Sequence, residues 1–426
     1  MDRSLRVSLN WEAFVINLAP LDLHSRSGRK LLEGTASVAS AELVALAPRL
    51  ARTFSLTSPF APGLHCIGGE IAVDAGPAFG AVRLSVAGNG ETLETAFVSC
   101  LGEAADLLSQ FERPGDIRAV EAGGGHTNFM ADGWIAAAAA RATRSIDWIN
   151  ASDASSGEPA LLPVDLCLRR PPARRAIEPV GALSAGAAAG PSLEIAALRA
   201  ALELCERDAA AIWWLGGCRP KGFALEHPAT KVGAELIARL RQGETARRTI
   251  LLDITADIGV PVVAAVSMDH DGRGMAYGLS SRLITSDAVK AAVLEMCQME
   301  MAAPIAQAKH AEGGDAVLNE ADRRHLRRAE FAAADCELLH PQEMSAQGAS
   351  GPSAGLELRG LTDHLRNHGI RLFLIDHTRQ DIGVPVARAV SPDLQPFSRD
   401  VSTMRFTQAR RDQDGASLTE RERLLF

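Results

Sequence analysis

The stretch ALRAALELCERDAAAIWW, residues 197–214, decides how this chain is read. Its apolar residues recur at helical spacing, and Ser192 just upstream is a natural N-cap, so a helix is expected from about Leu193 to Trp214. Within it Glu203 and Glu206 stand three positions apart, which puts both carboxylates on one face with their β-carbons within about 5–6 Å. Arg207 and Asp208 adjoin them, and the surrounding residues are Ala, Leu, Ile and Trp. The paired Trp213 and Trp214 read as core.

Two further helices repeat this layout. Upstream, AVRLSVAG from Ala81 reads as a strand, Gly88-Asn89-Gly90 as a tight turn, and Glu91 to Gln110 as an amphipathic helix carrying Glu103 and Asp106, with Gln110 one turn on. The helix at 193–214 likewise follows a small-residue loop, SAGAAAGPS from Ser184. Downstream, an apolar strand Thr249 to Ile254 and the segment ADIGVPVVAAVSM lead to a helix from about Ser286 to Met301. Ser286 is the expected cap there, and the helix carries Glu295 and Gln298. The Asp253–Val266 segment DITADIGVPVVAAV returns as DHTRQDIGVPVARAV at Asp376–Val390, as expected of one strand-entry piece used twice in a sheet.

Unpaired carboxylates in apolar surroundings cost several kcal/mol each, so acids placed like these need partners. Salt bridges on helix surfaces are one remedy. Hard cations held by oxygens are another, and acids converging from separate helices suit magnesium ions bridging the phosphates of a nucleotide. The glycine turn at 88–90, with Ser85 close by, could let backbone amides approach phosphate, although it lacks the GxxxxGK[ST] pattern. No GxSxG or HExxH is present. His364 and His368, in DHLRNHG, read as the end of a solvated helix closed by Gly369.

The 426 residues, 47% hydrophobic and 23% charged, have the balance of a soluble globular protein, and a net charge of −8 argues against nucleic-acid binding. Seven scattered cysteines without a CxxC suggest neither a disulfide framework nor a zinc site, so a reducing cytoplasm is expected. No signal-like or membrane-spanning run is visible, and the Ala-rich Trp134–Ala140 reads as a buried helix. Three divisions are expected: residues 1–80 as a flanking region that docks a partner or peptide, 81–400 as the catalytic domain, and 401–426 as a tail. HPQEMSAQGASGPSAGL, 340–356, has the composition of an exposed loop.

Taken together, RLSVAGNGETLETAFVSCLGEAADLLSQ, SAGAAAGPSLEIAALRAALELCERDAAAIWW and DITADIGVPVVAAV with AYGLSSRLITSDAVKAAVLEMCQMEMA resemble the YcaO family over about Ala81 to Met301. DIGVPVARAVSPDLQPF extends the resemblance to about Phe397. It implies an α+β, YcaO-type ATP-binding fold of mixed sheets packed by helices. Ser85, Gly88, Asn89 and Gly90 would touch phosphate, Glu103, Asp106, Glu203 and Glu206 would be magnesium ligands, and Arg207, Glu295 and Gln298 would complete the nucleotide site. ATP and Mg2+ are the implied cofactors.

The activity implied is that of an azoline-forming peptide cyclodehydratase, the D-protein of thiazole/oxazole-modified peptide biosynthesis. A Cys, Ser or Thr side chain attacks the preceding backbone carbonyl, and the oxygen is phosphorylated and leaves as phosphate. The implied partners are a ribosomal precursor peptide, an E1-like or leader-binding protein and an FMN-dependent azoline dehydrogenase, in a homodimer or multi-subunit synthetase. Backbone thioamidation and a non-catalytic scaffold role are the alternatives. Asn89 stands where the family commonly has Lys, Asp106-Leu107 where it has Glu-Arg, and Ala185 where Asn is usual; TERERLLF lacks a proline-rich ending.

Overall fold

The computed structural model describes residues 7–11, 14–74, 81–117, 132–341, 343–345 and 357–411. They form three five-stranded sheets. The first is an antiparallel meander of β1 (Val7–Trp11), β2 (Phe14–Pro20), β3 (Leu50–Thr57), β4 (His65–Asp74) and β5 (Ala81–Gly90). The second combines β6 (Trp148–Asp153), β7 (Pro159–Pro163) and β8 (Ala187–Ala189) with β14 (Phe373–Asp376) and β15 (Val386–Val390), in the order β7-β6-β14-β15-β8. The third has the order β12-β11-β10-β9-β13, from β9 (Lys221–Phe223), β10 (Arg247–Asp253), β11 (Val262–Asp269), β12 (Ala276–Ser281) and β13 (Glu343–Ser345), and only its β9–β13 pair is parallel.

One edge strand of each sheet runs on into a helix that packs back on that sheet. β5 leads to α1 (Leu93–Ser109), β8 to α2 (Leu193–Ala210) and β12 to α3 (Thr285–Met299). The inward stripes are rich in small residues: α1 buries Ala96, Phe97, Cys100 and Ala104, α2 Ala196, Ala197, Ala200 and Ala201, and α3 Ala288, Val289, Ala292 and Val293. Small side chains bring the helix axis close to the sheet, which sets how far a side chain must reach to meet the strand edge. A short π-helical turn, Ala211–Leu215, prolongs α2 and buries Trp213 and Trp214, as the sequence led us to expect. The Trp213 indole N–H donates to the Leu338 carbonyl at 2.9 Å.

Three local expectations need correction. Gly88-Asn89-Gly90 is not a turn: it is the end of β5, paired with Ile67, Cys66 and His65 of β4. Its glycines serve close approach, since a β-carbon on Gly88 would lie 2.2 Å from both the Ala96 carbonyl oxygen and the Cys100 nitrogen of α1. Gly278 of β12 meets α3 the same way, with the Ala292 oxygen at 2.2 Å. The helix after β5 starts later than expected, capped by Thr92 in a reciprocal arrangement with Thr95. The third helix is capped at Ile284, whose backbone is extended, so Ser286 falls inside the first turn. Ser192 does cap α2, accepting from the Ile195 amide. The SAGAAAGPS loop contains the short strand β8.

The internal repeat is one hairpin built twice, in two different sheets. In β10–β11 the Thr255 amide donates to Asp253 Oδ1 and the Val262 amide to Thr255 Oγ1; in β14–β15 Thr378 and Asp376, then Val386 and Thr378, do the same. Two later helices matter below, α4 (Glu320–Glu330) and α5 (Leu358–Asn367). On α5 the His364 ring is hydrogen-bonded to the Ile258 carbonyl, and Gly369 closes the helix at φ 73°. Among the described residues no disulfide links the seven cysteines, and six of them are buried. Among the described residues no helix is long and apolar enough to cross a membrane. Of the expected 340–356 loop, Glu343–Ser345 form β13, while 342 and 346–356, like the TERERLLF end, lie outside the described residues.

Candidate functional site

Each of the three helices carries a glutamate eleven residues past its N-cap: Glu103 after Thr92, Glu203 after Ser192 and Glu295 after Ile284. Fourteen past the cap stand Asp106, Glu206 and Gln298. Since each helix folds back on the strand it left, these positions return to the sheet edge. A terminal strand leaves outward amides without a strand partner. The carboxylates take them: the Ala87 amide of β5 donates to Glu103 at 2.6 Å, the Leu279 amide of β12 to Glu295 at 2.9 Å, and the Ser281 amide to Glu206 at 3.2 Å. Glu203 accepts from the Gly186 amide next to β8.

Burial raises these acids more than the neighbouring cations lower them. Burial pushes Glu103 up to about 7, against the Ala87 hydrogen bond and with help from the charge of Asp106. Burial lifts Asp106 to about 6 despite its bond from Gln110. Glu203 and Glu295 are each raised to about 7, burial again leading, with Glu206 adding to both; Glu206 is itself raised by burial. Among the described residues the one cation bonded to them is Arg207, whose guanidinium lies 3.5 Å from Glu203 and 3.2 Å from Glu206 and is held more firmly protonated by that company. One carboxyl oxygen of Asp106 is buried with no hydrogen-bond partner. Carboxylates left in this state favour a further cation.

Two cavities flank α2. One, of about 1180 Å3, opens between α1 and α2 and is lined by Glu103, Asp106, the β8 alanines and Arg282. The other, of about 770 Å3, holds Glu203, Arg207, Tyr277 and Arg388. Arg388 is 5% exposed, with two carbonyls, Leu166 and Leu183, as its hydrogen-bond acceptors and no carboxylate at ion-pair distance among the described residues; its Nε has no partner. Asp106 and Glu203 feel its charge. A buried cation so placed suits a mobile anion such as phosphate.

The structure therefore brings Glu103, Asp106, Glu203, Glu206, Arg207 and Glu295 around the inner ends of three helices. Asn89 donates to Gln298, tying β5 to α3. Ser85 stands apart, exposed on β5, while Gly88 and Gly90 are packed under α1. Arg388 and Arg282 escaped the sequence reading. For Arg388 a signal existed: VPVARAV has Arg where the first copy of the repeat, VPVVAAV, has Ala264, and a charge in an otherwise apolar strand asks for a reason.

Among the described residues no three His, Cys, Asp or Glu side chains converge tightly enough to hold a metal by themselves. Magnesium seldom uses such a cage; it takes one or two carboxylates and completes its shell with water and substrate phosphate. Paired carboxylates with an unpartnered Asp106 oxygen and an arginine, Arg388, that has no carboxylate at ion-pair distance among the described residues fit that arrangement.

Comparisons with known proteins agree with this chemistry. A family model described as YcaO cyclodehydratase, ATP- and Mg2+-binding, matches residues 87–395. An uncharacterised protein of Methanothermobacter thermautotrophicus is 27% identical over 347 residues, covering 76% of this chain and 87% of that protein. A heterocyclase solved in complex with substrate and cofactor shares the fold with a TM-score of 0.68 at 22% identity; the match covers 95% of this chain, which spans 58% of that longer one. YcaO from Methanopyrus kandleri, bound with AMPPCP and Mg2+, gives a TM-score of 0.61 at 19% identity, covering 91% of this chain and 95% of that one.

Proposed function

Because this chain belongs to the YcaO family of ATP- and Mg2+-binding cyclodehydratases, we propose that it is the cyclodehydratase subunit that converts Cys, Ser or Thr of a ribosomal precursor peptide to thiazoline or oxazoline. The observation that supports this most is the threefold placement of Glu103, Glu203 and Glu295 at strand edges, beside the Arg207 and Arg388 cations. Overall, peptide and ATP give the azoline peptide, ADP and phosphate, so the peptide loses one water. An amide oxygen is a very poor leaving group, and its conversion to phosphate calls mainly for positioning and charge stabilisation.

In this reading Glu103, Asp106, Glu203 and Glu206 would hold magnesium, which when bound would offset the charge of the triphosphate. Arg388 and Arg207 would face the phosphates, the Asn89–Gln298 bond and Glu295 would fix the α3 side, and Gly88 and Gly90, packed under α1, would hold the β5 end against that helix. Asn89 supplies no cation where the family commonly has lysine, and Arg388 offsets that loss. Residues 1–80 serve docking, 81–400 catalysis, and the work is done in the cytoplasm with a leader-binding partner and an azoline dehydrogenase.

Mass spectrometry of the precursor peptide after incubation with this protein, its encoded partners, ATP and Mg2+ tests the proposal. Loss of one water per modified residue is expected. Oxygen-to-sulfur exchange when sulfide is supplied would instead mean thioamidation, and no ATP-dependent change would mean a scaffold.

Nucleotide binding is expected to take up the pH dependence of the acids. Near pH 6 the raised carboxyls are largely protonated in the metal-free protein, and a cation must displace those protons. Affinity for AMPPCP with Mg2+ should therefore rise about tenfold or more from about pH 6 to about pH 8, with proton release near pH 6.5. Calorimetry in two buffers of different ionisation enthalpy, corrected for the nucleotide's own titration, checks this. The sign for stability is opposite: these groups favour the metal-free fold below the unfolded value of 4.5 and lose that contribution as pH rises toward about 7.

A further inference from the structure

The second cavity has a wall that the proposed nucleotide site does not use. α4 lies between α3 and β13, outside the three repeated strand–helix units, and lines this cavity with Arg324 and Arg327 opposite Glu203 and Arg207. Tyr277 stands between the two sides: the Arg328 guanidinium sits 4.5 Å over its ring, and the charges of Arg207 and Arg324 reach its hydroxyl. Arg327 pairs with Glu320 at 2.7 Å through one nitrogen, while its buried Nε has no partner. Arg324 has no carboxylate at ion-pair distance among the described residues. With Arg388 and Arg399 the cavity has five arginines against three acids, Glu203, Glu320 and Asp400, in a chain whose net charge is −8.

We propose that the α4 wall is a subsite for a carboxylate side chain of the peptide substrate, so that the protein selects segments with an aspartate or glutamate close to the amide to be activated. This rests on the peptide reading above. In the proposed nucleotide site the phosphates would have their partners in Arg388, Arg207 and the ions that the paired carboxylates would hold, none of them on α4. Arg324, with no carboxylate at ion-pair distance among the described residues, and the unpartnered Nε of Arg327 then face a second anion, and a guanidinium meets a carboxylate with two parallel hydrogen bonds. An acidic peptide is repelled by the rest of a negative protein and attracted here, which favours docking in one orientation.

Two short fluorescein-labelled peptides, alike except that one carries Glu and the other Gln beside a Cys, test this by fluorescence anisotropy on the full chain. AMPPCP with Mg2+ is titrated separately by calorimetry. The wild type is expected to bind the Glu peptide about tenfold more tightly, a preference weakened by salt. Arg324→Gln with Arg327→Gln should abolish the preference and leave the Gln peptide and AMPPCP affinities unchanged. Equal binding of both peptides by the wild type, or of neither, overturns the proposal. So does a double variant that loses AMPPCP instead, which would give these arginines to the nucleotide. No turnover is needed, so absent peptide modification would count against the proposed function and leave this subsite measurable.

Discussion

Glu203→Ala is expected to lower ATP-dependent water loss from the precursor peptide by about 100- to 1,000-fold, with Glu203→Gln close behind. Glu203 occupies the middle of the three equivalent helix positions, bonded to the Gly186 amide and to Arg207, and it looks into the same cavity as Arg388. Removing its charge takes away a magnesium ligand of the proposed site and leaves Arg207 with Glu206 and Arg388 with Asp106 as the nearest remaining counter-charges. Burial already holds this carboxyl near neutrality, so glutamine resembles its protonated form. Metal-free Glu203→Gln should therefore unfold at the same temperature as the wild type at about pH 6, while losing the stabilisation that AMPPCP and Mg2+ confer. Glu194→Ala, exposed in the first turn of the same helix, is the control and should change neither quantity by more than about twofold. Full activity in Glu203→Ala would transfer catalysis to another subunit and leave this chain a scaffold.

What was legible in the sequence was local. The helix at 193–210, its Ser192 cap, the buried tryptophans and the three-residue spacing of the acids all follow from periodicity and capping chemistry. The equal distance of Glu103, Glu203 and Glu295 from their caps emerged only with the structure, which moves the third cap from the expected Ser286 to Ile284 and the first to Thr92. What was not legible came from distant pairing. Gly88-Asn89-Gly90 has the composition of a turn, and only the partner strand β4 and the helix α1 reveal it as a strand end pressed against a helix. Arg388 belongs to a strand 124 positions after its repeat counterpart Ala264 (388 − 264) and reaches the acids because β15 pairs with β8, a register no local rule supplies. The first 80 residues carry no chemical motif, yet their β4 pairs along its length with β5, the strand that leads to α1 and so to Glu103.

Arg207→Met is expected to destabilise the metal-free protein by about 2–4 kcal/mol at about pH 8 and by much less at about pH 5.5. Arg207 is bonded to Glu203 and Glu206 and lowers Glu295 as well, so its loss leaves three adjacent acids facing one another. This loss falls somewhat below the about 3–5 kcal/mol typical of a broken buried pair, because a third of the Arg207 side chain meets solvent and Arg282 still offsets Glu206 and Glu295. Methionine keeps the length and packing of the arginine stem, which isolates the charge. Without the cation the three folded carboxyls rise further above the unfolded value of 4.5. The penalty is then absent below that value and grows as pH climbs through the folded range. Two rescues follow: AMPPCP with Mg2+ should restore part of the stability by replacing one cation with another, and Glu206→Gln in the same chain should restore most of it. Urea unfolding at the two pH values, for the single and double variants, reads all three effects. A single variant as stable as the wild type at about pH 8 would mean that the acids were never held together by Arg207, and the cation-seeking character assigned to this site would lose its electrostatic basis.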